Sequence, residues 1–326
     1  MKAPEKTIFS RKATKKTIDP QKLDDIRGFE FKPTITIKEL VTQYHHIGFQ
    51  ASHLSQGVEL IKEMIEDKAD IYLSATSNMG SSGIRELIAQ LIRDKKIKGL
   101  ITTTGLIEED VMKSFYPFKL GEFDVDDTEI KANKINRIGN IFVPDDYYVK
   151  LEEWHVELLE KLYKEKKKWS PHEYIFEMGK KIKDENSILY WATKRNTPII
   201  CPGMIDGAIG MHWFVFNQNK KEEEKFILDQ TGDLNEIAQK FLNAEKIGGI
   251  FLGGGISKHH LLGAALLRGG LDYGIYVNTG TQYDGSLSGA HPKEAVSWNK
   301  LKEKKNSIHI EGEATLVFPL LMTGFY

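Results

Sequence analysis

Short apolar runs alternate with amphipathic helical segments along this chain, and this alternation restricts the fold more than any other feature of the sequence. Five runs are short, largely apolar and strand-like: residues 71–76, 99–104, 198–203, 248–255 and 272–279. Helical periodicity separates them, and such an alternation predicts a parallel sheet. Because the run at 248–255 has no polar face, we expect both faces of the sheet to be covered. The sequence therefore predicts an α/β fold, a Rossmann-like parallel sheet flanked by helices.

The remaining segments predict how a single large domain begins and ends. Residues 1–35 are charged and carry little apolar patterning, which predicts an N-terminal arm ahead of a domain at 36–326. Helical spacing predicts helices within 37–65, 83–94, 107–115, 147–168, 171–183, 188–195 and 258–270. Residues 124–140 are polar, and we expect them to be irregular. Residues 314–322 predict a buried helix or strand, and Pro319 disfavours a straight helix.

Composition excludes several classes of protein. With 45 basic and 46 acidic residues the net charge is -1, which argues against a nucleic-acid-binding chain. An apolar content of 40% argues against disorder. The single cysteine, Cys201, excludes an intramolecular disulfide and a zinc site built from cysteines, so we expect a reducing cytoplasm. The chain has no long apolar run and no apolar signal segment at its start, so we expect neither membrane insertion nor secretion.

Small, polar and Gly-rich turns follow the predicted strands, at residues 76–83, 102–105, 202–207, 253–255 and 278–289. In a parallel sheet, ligands bind beyond the carboxyl ends of the strands. Glycine lets the backbone approach a ligand closely, and free N–H groups at helix starts bind phosphate. No strict G-x-G-x-x-G string is present. One such turn is more often only a turn, but five at strand ends favour a nucleotide site as an alternative.

Titratable residues near these turns allow two interpretations. His259 and His260 begin the predicted helix that follows three glycines. They could be helix caps, core residues or functional groups. No His-x-x-x-His or His-Glu-x-x-His pattern accompanies them, so we expect no metal site. Most acids in a chain are simply solvated. If the acids near these turns lay together, they would suit a cationic ligand; they are Asp284, Glu294, Glu108 and Glu109.

The densest local pattern is the string HPKEAVSWNK at residues 291–300. A single lysine is usually a surface charge. Alternatively, Lys300 is a lysine whose amine is kept neutral by burial, so that it can form a Schiff base. The indole of Trp298, together with Ala295 and Val296, would supply the apolar surroundings that this chemistry needs. Local chemistry alone does not decide between the two.

The longer string DGSLSGAHPKEAVSWNK, at residues 284–300, resembles the active-site signature of the deoxyhypusine synthase family. Other segments resemble that family in the same order, from about residue 25 to residue 322: residues 48–61, 76–86, 102–110, 135–144, 189–207, 248–260, 272–279 and 313–321. The resemblance therefore covers nearly the whole chain.

This resemblance implies a transferase with internal redox chemistry. NAD takes hydride from a carbon beside the secondary amine of spermidine, and an enzyme lysine attacks the resulting imine while 1,3-diaminopropane leaves. The aminobutyl unit then passes to one lysine of translation initiation factor 5A, and reduction completes the product. Lys300 falls at the family's nucleophile position, and His259 is expected to transfer protons.

The resemblance also implies two sets of binding residues. The expected NAD-binding residues are Ser77, Asn78, Met79, Gly80, Ser81, Thr103, Thr104, Gly105, Glu109, Asp206, Gly254, Thr279, Gly280, Glu313 and Ala314. The expected substrate-binding residues are Glu108, Glu109, His259, Asp284, Gly285, Ser286, Glu294, Ala295, Val296, Ser297 and Trp298. Carboxylates would pair with the ammonium groups of the amine, and the Trp298 ring would offer a cation–π face.

Three positions on the expected amine side depart from the family pattern. Met211 and Leu287 stand where the family usually has acids, and Gly263 stands where it usually has asparagine. On the NAD side, Gly280 replaces alanine and Glu313 replaces aspartate. Losing two carboxylates removes countercharges for a desolvated cation. The sequence therefore supports the chemistry better than the identity of the amine.

Other functions stay open. The chain could act like a homospermidine synthase, use agmatine as donor, or be a non-catalytic NAD-binding paralogue, although the presence of Lys300 argues against the last. The resemblance further implies a homotetramer with active sites at subunit interfaces. It also implies that an N-terminal arm, here Lys2 to Lys16, can cover a neighbouring site.

Overall fold

The computed structural model describes residues 19–326, and the main feature of this region is a six-stranded parallel sheet. The strands are β1 (Asp70–Ala75), β2 (Gly99–Ile101), β3 (Lys119–Leu120), β4 (Ile135–Ile138), β5 (Ile141–Pro144), β6 (Lys168–Trp169), β7 (Ile199–Ile200), β8 (Ile227–Leu228), β9 (Ile247–Leu252), β10 (Tyr273–Asn278) and β11 (Ser307–Glu311). The α/β class and the parallel sheet predicted from the sequence are confirmed.

Helices cover this sheet. They are α1 (Ile37–Gln43), α2 (Phe49–Glu66), α3 (Asn78–Ser81), α4 (Ile84–Arg93), α5 (Thr104–Lys113), α6 (Asp127–Ala132), α7 (Asp145–Glu165), α8 (Pro171–Lys181), α9 (Ile188–Arg195), α10 (Ala208–Asn217), α11 (Gln230–Asn243), α12 (Gly255–Ala265), α13 (Pro292–Ser297) and α14 (Ala314–Leu321). In the part of the chain described, none of them is long and apolar enough to cross a bilayer.

The strand order of the main sheet is β11-β10-β9-β1-β2-β7. The chain runs outward from β1 through β2 to β7, then returns to the other side of β1 and runs outward again through β9, β10 and β11. The register of β1 with β9 extends from Asp70↔Ile247 to Ala75↔Leu252. This reversal makes a crevice at the carboxyl ends of β1 and β9, which is where doubly wound sheets bind ligands.

Alternate residues along the strands face two separate apolar cores. In β1, Leu73 packs into the first core and Tyr72 into the second. Helix α5 contributes Leu106 to the first core, whereas α12 contributes Leu262 to the second. The two helices therefore pack on opposite faces of the sheet, and five of the six strands, all except the edge strand β11, are largely buried on both sides.

Several sequence expectations need correction. Residues 124–140 are not irregular: Asp126 caps α6, and β4 and β5 form an antiparallel hairpin to which β3 adds. The two histidines do not begin a helix, because α12 starts at Gly255 and places them in its second turn. The segment at 314–322 is a helix that contains Pro319.

Among the described residues, the first α-helix is α1. Thr36 caps α1, its side chain accepting from the Glu39 N–H while Glu39 accepts from the Thr36 N–H, and residues 23–35 ahead of it form no helix or strand. The segment from Lys2 to Lys16 lies outside the described residues.

Candidate active site at the carboxyl edge of the sheet

The expected cofactor residues gather at one edge of the sheet. Each of the six strands ends there. The turn after each strand carries expected cofactor residues: Ser77 after β1, Thr103 after β2, Asp206 after β7, Gly254 after β9, Thr279 after β10 and Glu313 after β11. Residues far apart in the sequence are therefore neighbours, because parallel strands bring their carboxyl ends to one edge.

Close backbone approach shapes this edge. The hydroxyls of Ser77 and Thr103 are 2.9 Å apart, which joins the turns after β1 and β2. A Cβ at Gly105 would lie 2.7 Å from the Cβ of Ser77, so any side chain there would separate the two turns. A Cβ at Gly254 would lie 2.6 Å from the Cα of Ser288. Both positions thus require glycine for reasons of space.

Some of the expected cofactor residues use their side chains internally. Thr104 is buried and donates to the Gly203 carbonyl at 2.9 Å, towards the end of β7. Met79 and Ser81 are also buried. Glu313 accepts from the Thr315 N–H at 3.0 Å and caps α14. These residues support the turns, whereas Ser77, Asn78, Thr103 and Thr279 are at least partly exposed.

One buried polar group at this edge is suited to a polar ligand. The side-chain Nδ2 of Asn278, at the end of β10, is buried and has no hydrogen-bond partner among the described residues. Its Oδ1 accepts from the Gly280 N–H at 3.0 Å, so the amide is fixed with the donor directed elsewhere. An unpaired buried donor beside a Gly-lined edge fits the phosphates and carboxamide of a dinucleotide such as NAD.

Two adjacent carboxyls on α5 lie beside the same turns. Burial raises the pKa of Glu109 to about 8, although a hydrogen bond from Ser81 opposes the shift. Burial also raises the pKa of Glu108 to about 7, and this group accepts from the Ile209 N–H at 3.1 Å. Each carboxyl is close to its ionisation midpoint near neutral pH, so a cationic ligand would favour the charged form.

We expect Glu109→Gln to stabilise the ligand-free protein at alkaline pH. The pKa of Glu109 is higher in the folded than in the unfolded chain, so its contribution to stability is present below about pH 4.5 and is lost as the pH rises through about 8. The amide can still accept from Ser81. At pH 9 the variant should gain at least about 1 kcal/mol in unfolding free energy, and the gain should vanish near pH 4.5.

Thermal unfolding across this pH range measures the effect. Glu160→Gln, which changes an exposed acid of α7, is the matched control and should show no pH-dependent gain. A difference between wild type and Glu109→Gln that does not change with pH would contradict the interpretation.

A cavity of about 320 Å³ lies on the face of the sheet that α12 covers. Its lining contains Lys258, His259, Leu262, Tyr276, Gly285, Leu287, Ala290, His291, Glu294, Ala295, Trp298 and Lys300. Five expected substrate-binding residues and the expected nucleophile thus lie around one space. Asp284, Ser286 and Ser297 are beside it: Asp284 accepts from the Ser286 N–H at 2.7 Å, and Ser297 donates to the Glu294 carbonyl at 2.7 Å.

Lys300 is less enclosed than the sequence suggested. It is half-buried, and its Nζ lies 5.5 Å from the ring centroid of Trp298. Ala295 is buried and Val296 half-buried, but 65% of the Trp298 surface is exposed. In one chain, therefore, these residues enclose the lysine only in part.

Sequence reasoning missed two groups beside this cavity. Lys258 is 1% exposed, and burial lowers its pKa to about 8, against the opposing effect of Glu294. His291 lines the cavity, and its ring centroid is 4.3 Å from that of His309. Burial lowers the pKa of His309 to about 4. The only sequence signal for Lys258 was its place directly before His259.

The expected substrate residues form two groups rather than one. Glu108 and Glu109 belong to α5, on the first face of the sheet, whereas the cavity around Lys300 is on the second face. Within residues 19–326, no hydrogen bond or ion pair joins Glu108 or Glu109 to the cavity residues. We term these two groups of expected substrate residues half-sites.

Comparison with known proteins identifies the family. The sequence profile of the deoxyhypusine synthases matches residues 39–325. The chain belongs to the deoxyhypusine synthase family. A relative in Halobacterium salinarum, named as a probable deoxyhypusine synthase, is 44% identical over 306 residues, which cover 93% of this chain and 92% of the relative. A relative of the same name in Schizosaccharomyces pombe is 39% identical over 309 residues, covering 90% of this chain and 88% of the relative.

A solved structure agrees with the sequence comparison. A chain of Entamoeba histolytica, solved as a candidate deoxyhypusine synthase, superposes with a TM-score of 0.64 at 25% identity. The match covers 92% of this chain and 96% of that one. The resemblance noted in the sequence is therefore confirmed at the level of the family.

The three departures from the family pattern occupy different surroundings. Leu287 lines the cavity, so the acid expected there is replaced by an apolar side chain at the ligand space itself. Met211 is on α10 and is 61% exposed. A Cβ added at Gly263 would meet nothing within 4 Å, so this position has room for a larger side chain. In residues 19–326, no three metal-binding side chains lie together in a way that could hold an ion.

Proposed function

We propose that this protein transfers an aminobutyl group from spermidine or a related amine to one lysine of translation initiation factor 5A in the cytoplasm, with NAD as cofactor and Lys300 as the covalent carrier. The observation that carries the proposal is the cavity in which Lys300, His259, Glu294 and Trp298 meet, in a chain of this family. When bound, NAD accepts hydride from the amine and returns it at the end.

Residues of the chain bind the donor, attack its imine and transfer the proton. The carboxylate of Glu294 pairs with an ammonium of the donor, and the exposed face of Trp298 holds the cation. Nζ of Lys300 attacks the imine carbon of the donor, and the bond from that carbon to the departing diaminopropane nitrogen breaks. His259 delivers the proton that this nitrogen needs to leave. The acceptor lysine then displaces Lys300 by the same exchange.

The cofactor is held at the carboxyl edge in this proposal. The turns after β1 and β2, with Ser77 and Thr103, would hold the phosphates, and Asn278 would donate its unpaired Nδ2 to the ligand. NAD fits this edge because the glycines of the turns leave the backbone accessible.

A second copy of the chain would complete the site. The two half-sites of one chain are separate, and α10 presents an apolar exposed surface with Met211, Phe214 and Val215 next to Ile205. We propose a homotetramer in which the half-site of one subunit faces that of the next, with residues 1–35 as an arm.

We expect light scattering of the wild type at micromolar concentration to give four chains per particle. Phe214→Glu should lower this number, because a charge would be buried in the subunit contact. Leu120→Glu changes a residue that is 85% exposed on the hairpin and should leave the assembly intact. A monomeric wild type would refute the assembly.

A second candidate function concerns the amine donor. A homospermidine synthase-like reaction, or use of agmatine, remains the second candidate, because Leu287 and Met211 leave the site with fewer carboxylates. A donor with a less charged or planar far end would need fewer countercharges. A paralogue without catalysis would show NAD binding and no transfer.

Restoring the acids should change the preference for the donor. We expect Met211→Asp combined with Leu287→Asp to favour spermidine by about 1–3 kcal/mol for each charged partner restored. The measured quantity is kcat/KM for spermidine, agmatine and putrescine. The control, Met211→Asn with Leu287→Asn, adds polarity without charge. If the wild type already prefers spermidine strongly and the acids change nothing, the argument from these positions is wrong.

Mass spectrometry of purified factor 5A tests the function as a whole. The factor is incubated with the enzyme, NAD and each amine in turn. A gain of one aminobutyl group on a single lysine supports the proposal. A product that contains only free polyamine supports the homospermidine synthase-like alternative, and no product with any amine supports the non-catalytic paralogue.

A further inference from the structure

Lys258 makes a set of contacts that no part of the proposed chemistry uses. It lies on α12, is 1% exposed, and directs its Nζ towards the loop that precedes α13. Nζ is 2.8 Å from the Leu287 carbonyl oxygen, 2.9 Å from that of Ala290 and 3.2 Å from that of Ser288. An ammonium has three protons, and three carbonyls are in place to accept them.

This loop has few other means of holding its shape. Residues 279–291 form no strand or helix, and their own bonds are short-range, such as the Ala290 N–H to the Leu287 carbonyl at 3.2 Å. Besides Lys258, the start of α12 contacts the loop through the Gly255 N–H, which donates to the Ser288 hydroxyl at 3.0 Å. Gly285 and Leu287 of this loop line the cavity that contains Lys300.

A buried ammonium is costly unless it is fully hydrogen-bonded. Lys258 meets that condition only while the loop keeps its present shape, and its charge gains a further contact with the Tyr276 ring, 5.0 Å from the centroid. The hydrogen bonds to the loop carbonyls therefore offset the free-energy cost of burying the charge in this loop conformation and not in others. A lysine that donates all three protons has no free lone pair, so it is not a second nucleophile.

We propose that Lys258 is a positioning residue that fixes the loop at 287–290 as one wall of the amine cavity that Lys300 also lines. The ammonium acts on the backbone carbonyls, so it sets the position of the wall whatever side chains the loop carries. This inference rests on the proposed function for its kinetic consequence, whereas the structural consequence can be measured without any activity.

Hydrogen–deuterium exchange of the full chain tests the structural part. Lys258→Met keeps the length of the side chain and removes the donors, and we expect at least tenfold faster exchange of the amides at 285–291. Lys258→Arg keeps a charge and several N–H donors and should recover more than half of the lost protection. Lys293→Met, at an exposed lysine of α13, removes the same charge nearby and should change nothing.

Steady-state kinetics tests the functional part. We expect Lys258→Met to raise KM for the amine at least tenfold while the affinity for NAD stays within twofold of wild type. Unchanged exchange and unchanged KM would overturn the inference. If the wild type transfers nothing, the proposed function fails, but the exchange result still decides the role of Lys258. If Lys258→Met does not fold, hydrogen–deuterium exchange of the wild type alone tests the inference. Unprotected amides at 287–290 would then refute a fixed wall.

Discussion

Lys300→Arg is expected to abolish aminobutyl transfer while leaving NAD binding intact. Guanidinium stays protonated at every accessible pH, so it keeps the positive charge but cannot attack an imine carbon. Loss of a covalent nucleophile should lower kcat by at least about a thousandfold. NAD affinity should survive, because Lys300 lines the cavity on the second face of the sheet and not the Gly-rich edge.

Borohydride trapping identifies the carrier directly. With NAD and amine present, reduction should fix the aminobutyl group on Lys300 of the wild type, and peptide mapping should find it there. Lys302→Arg is the matched control, since Lys302 is two residues away and its Nζ lies 2.6 Å from the half-buried Asp272. Label at another lysine, or transfer by Lys300→Arg, would refute the assigned role.

Arg85→Met is expected to produce the largest loss of stability. Arg85 is 2% exposed, and its Nε is 2.6 Å from Oδ1 of the fully buried Asp110, while its Nη2 is 2.8 Å from Oδ2 of Asp184. Removing one member of a buried pair leaves the other charge uncompensated, which costs about 3–5 kcal/mol. For a chain of this size the melting temperature should fall by roughly 10 °C.

The pair also supports the candidate site. Asp110 follows Glu109 on α5 and accepts from the Ser187 hydroxyl at 2.6 Å and the Leu189 N–H at 2.9 Å, which fixes α5 to the start of α9. Arg93→Met, on the same helix as Arg85, breaks only an exposed pair with Asp94 and should cost less than about 1 kcal/mol. Equal losses for the two arginine variants would contradict the role of burial.

The sequence predicted those parts of the molecule whose information is local. Strands such as β1 and β9 are apolar on both faces, so their pattern alone identified them. The hairpin β4–β5 was missed because its strands are short and only partly buried, without a clean alternation. Two-residue strands such as β6 and β8 carry no period, and only their pairing with each other defines them.

The candidate site was likewise predicted only where its residues are close together in the sequence. The string at 284–300 placed Lys300, Trp298 and Glu294 near one another because they are neighbours in the sequence. The role of Lys258 could not be predicted, because its carbonyl partners are 29 to 32 residues away in the sequence. Without those partners, a lysine in a predicted helix is interpreted as a surface charge. Burial raises the pKa of Glu108, and the hydrogen bond from the Ile209 N–H, 101 residues later, opposes that rise; no local pattern contains either effect.

The strand order has a consequence for synthesis of the chain. β1 pairs with β2 on one side soon after both leave the ribosome, but its other partner begins only at Ile247, which is 247 − 70 = 177 residues after Asp70. At roughly 5–20 residues per second, about 10–35 s pass before that partner has been made. During this time an apolar central strand presents an open edge in the nascent chain. An open edge can pair with another chain, so we expect early helices or chaperones to be needed to protect it during synthesis.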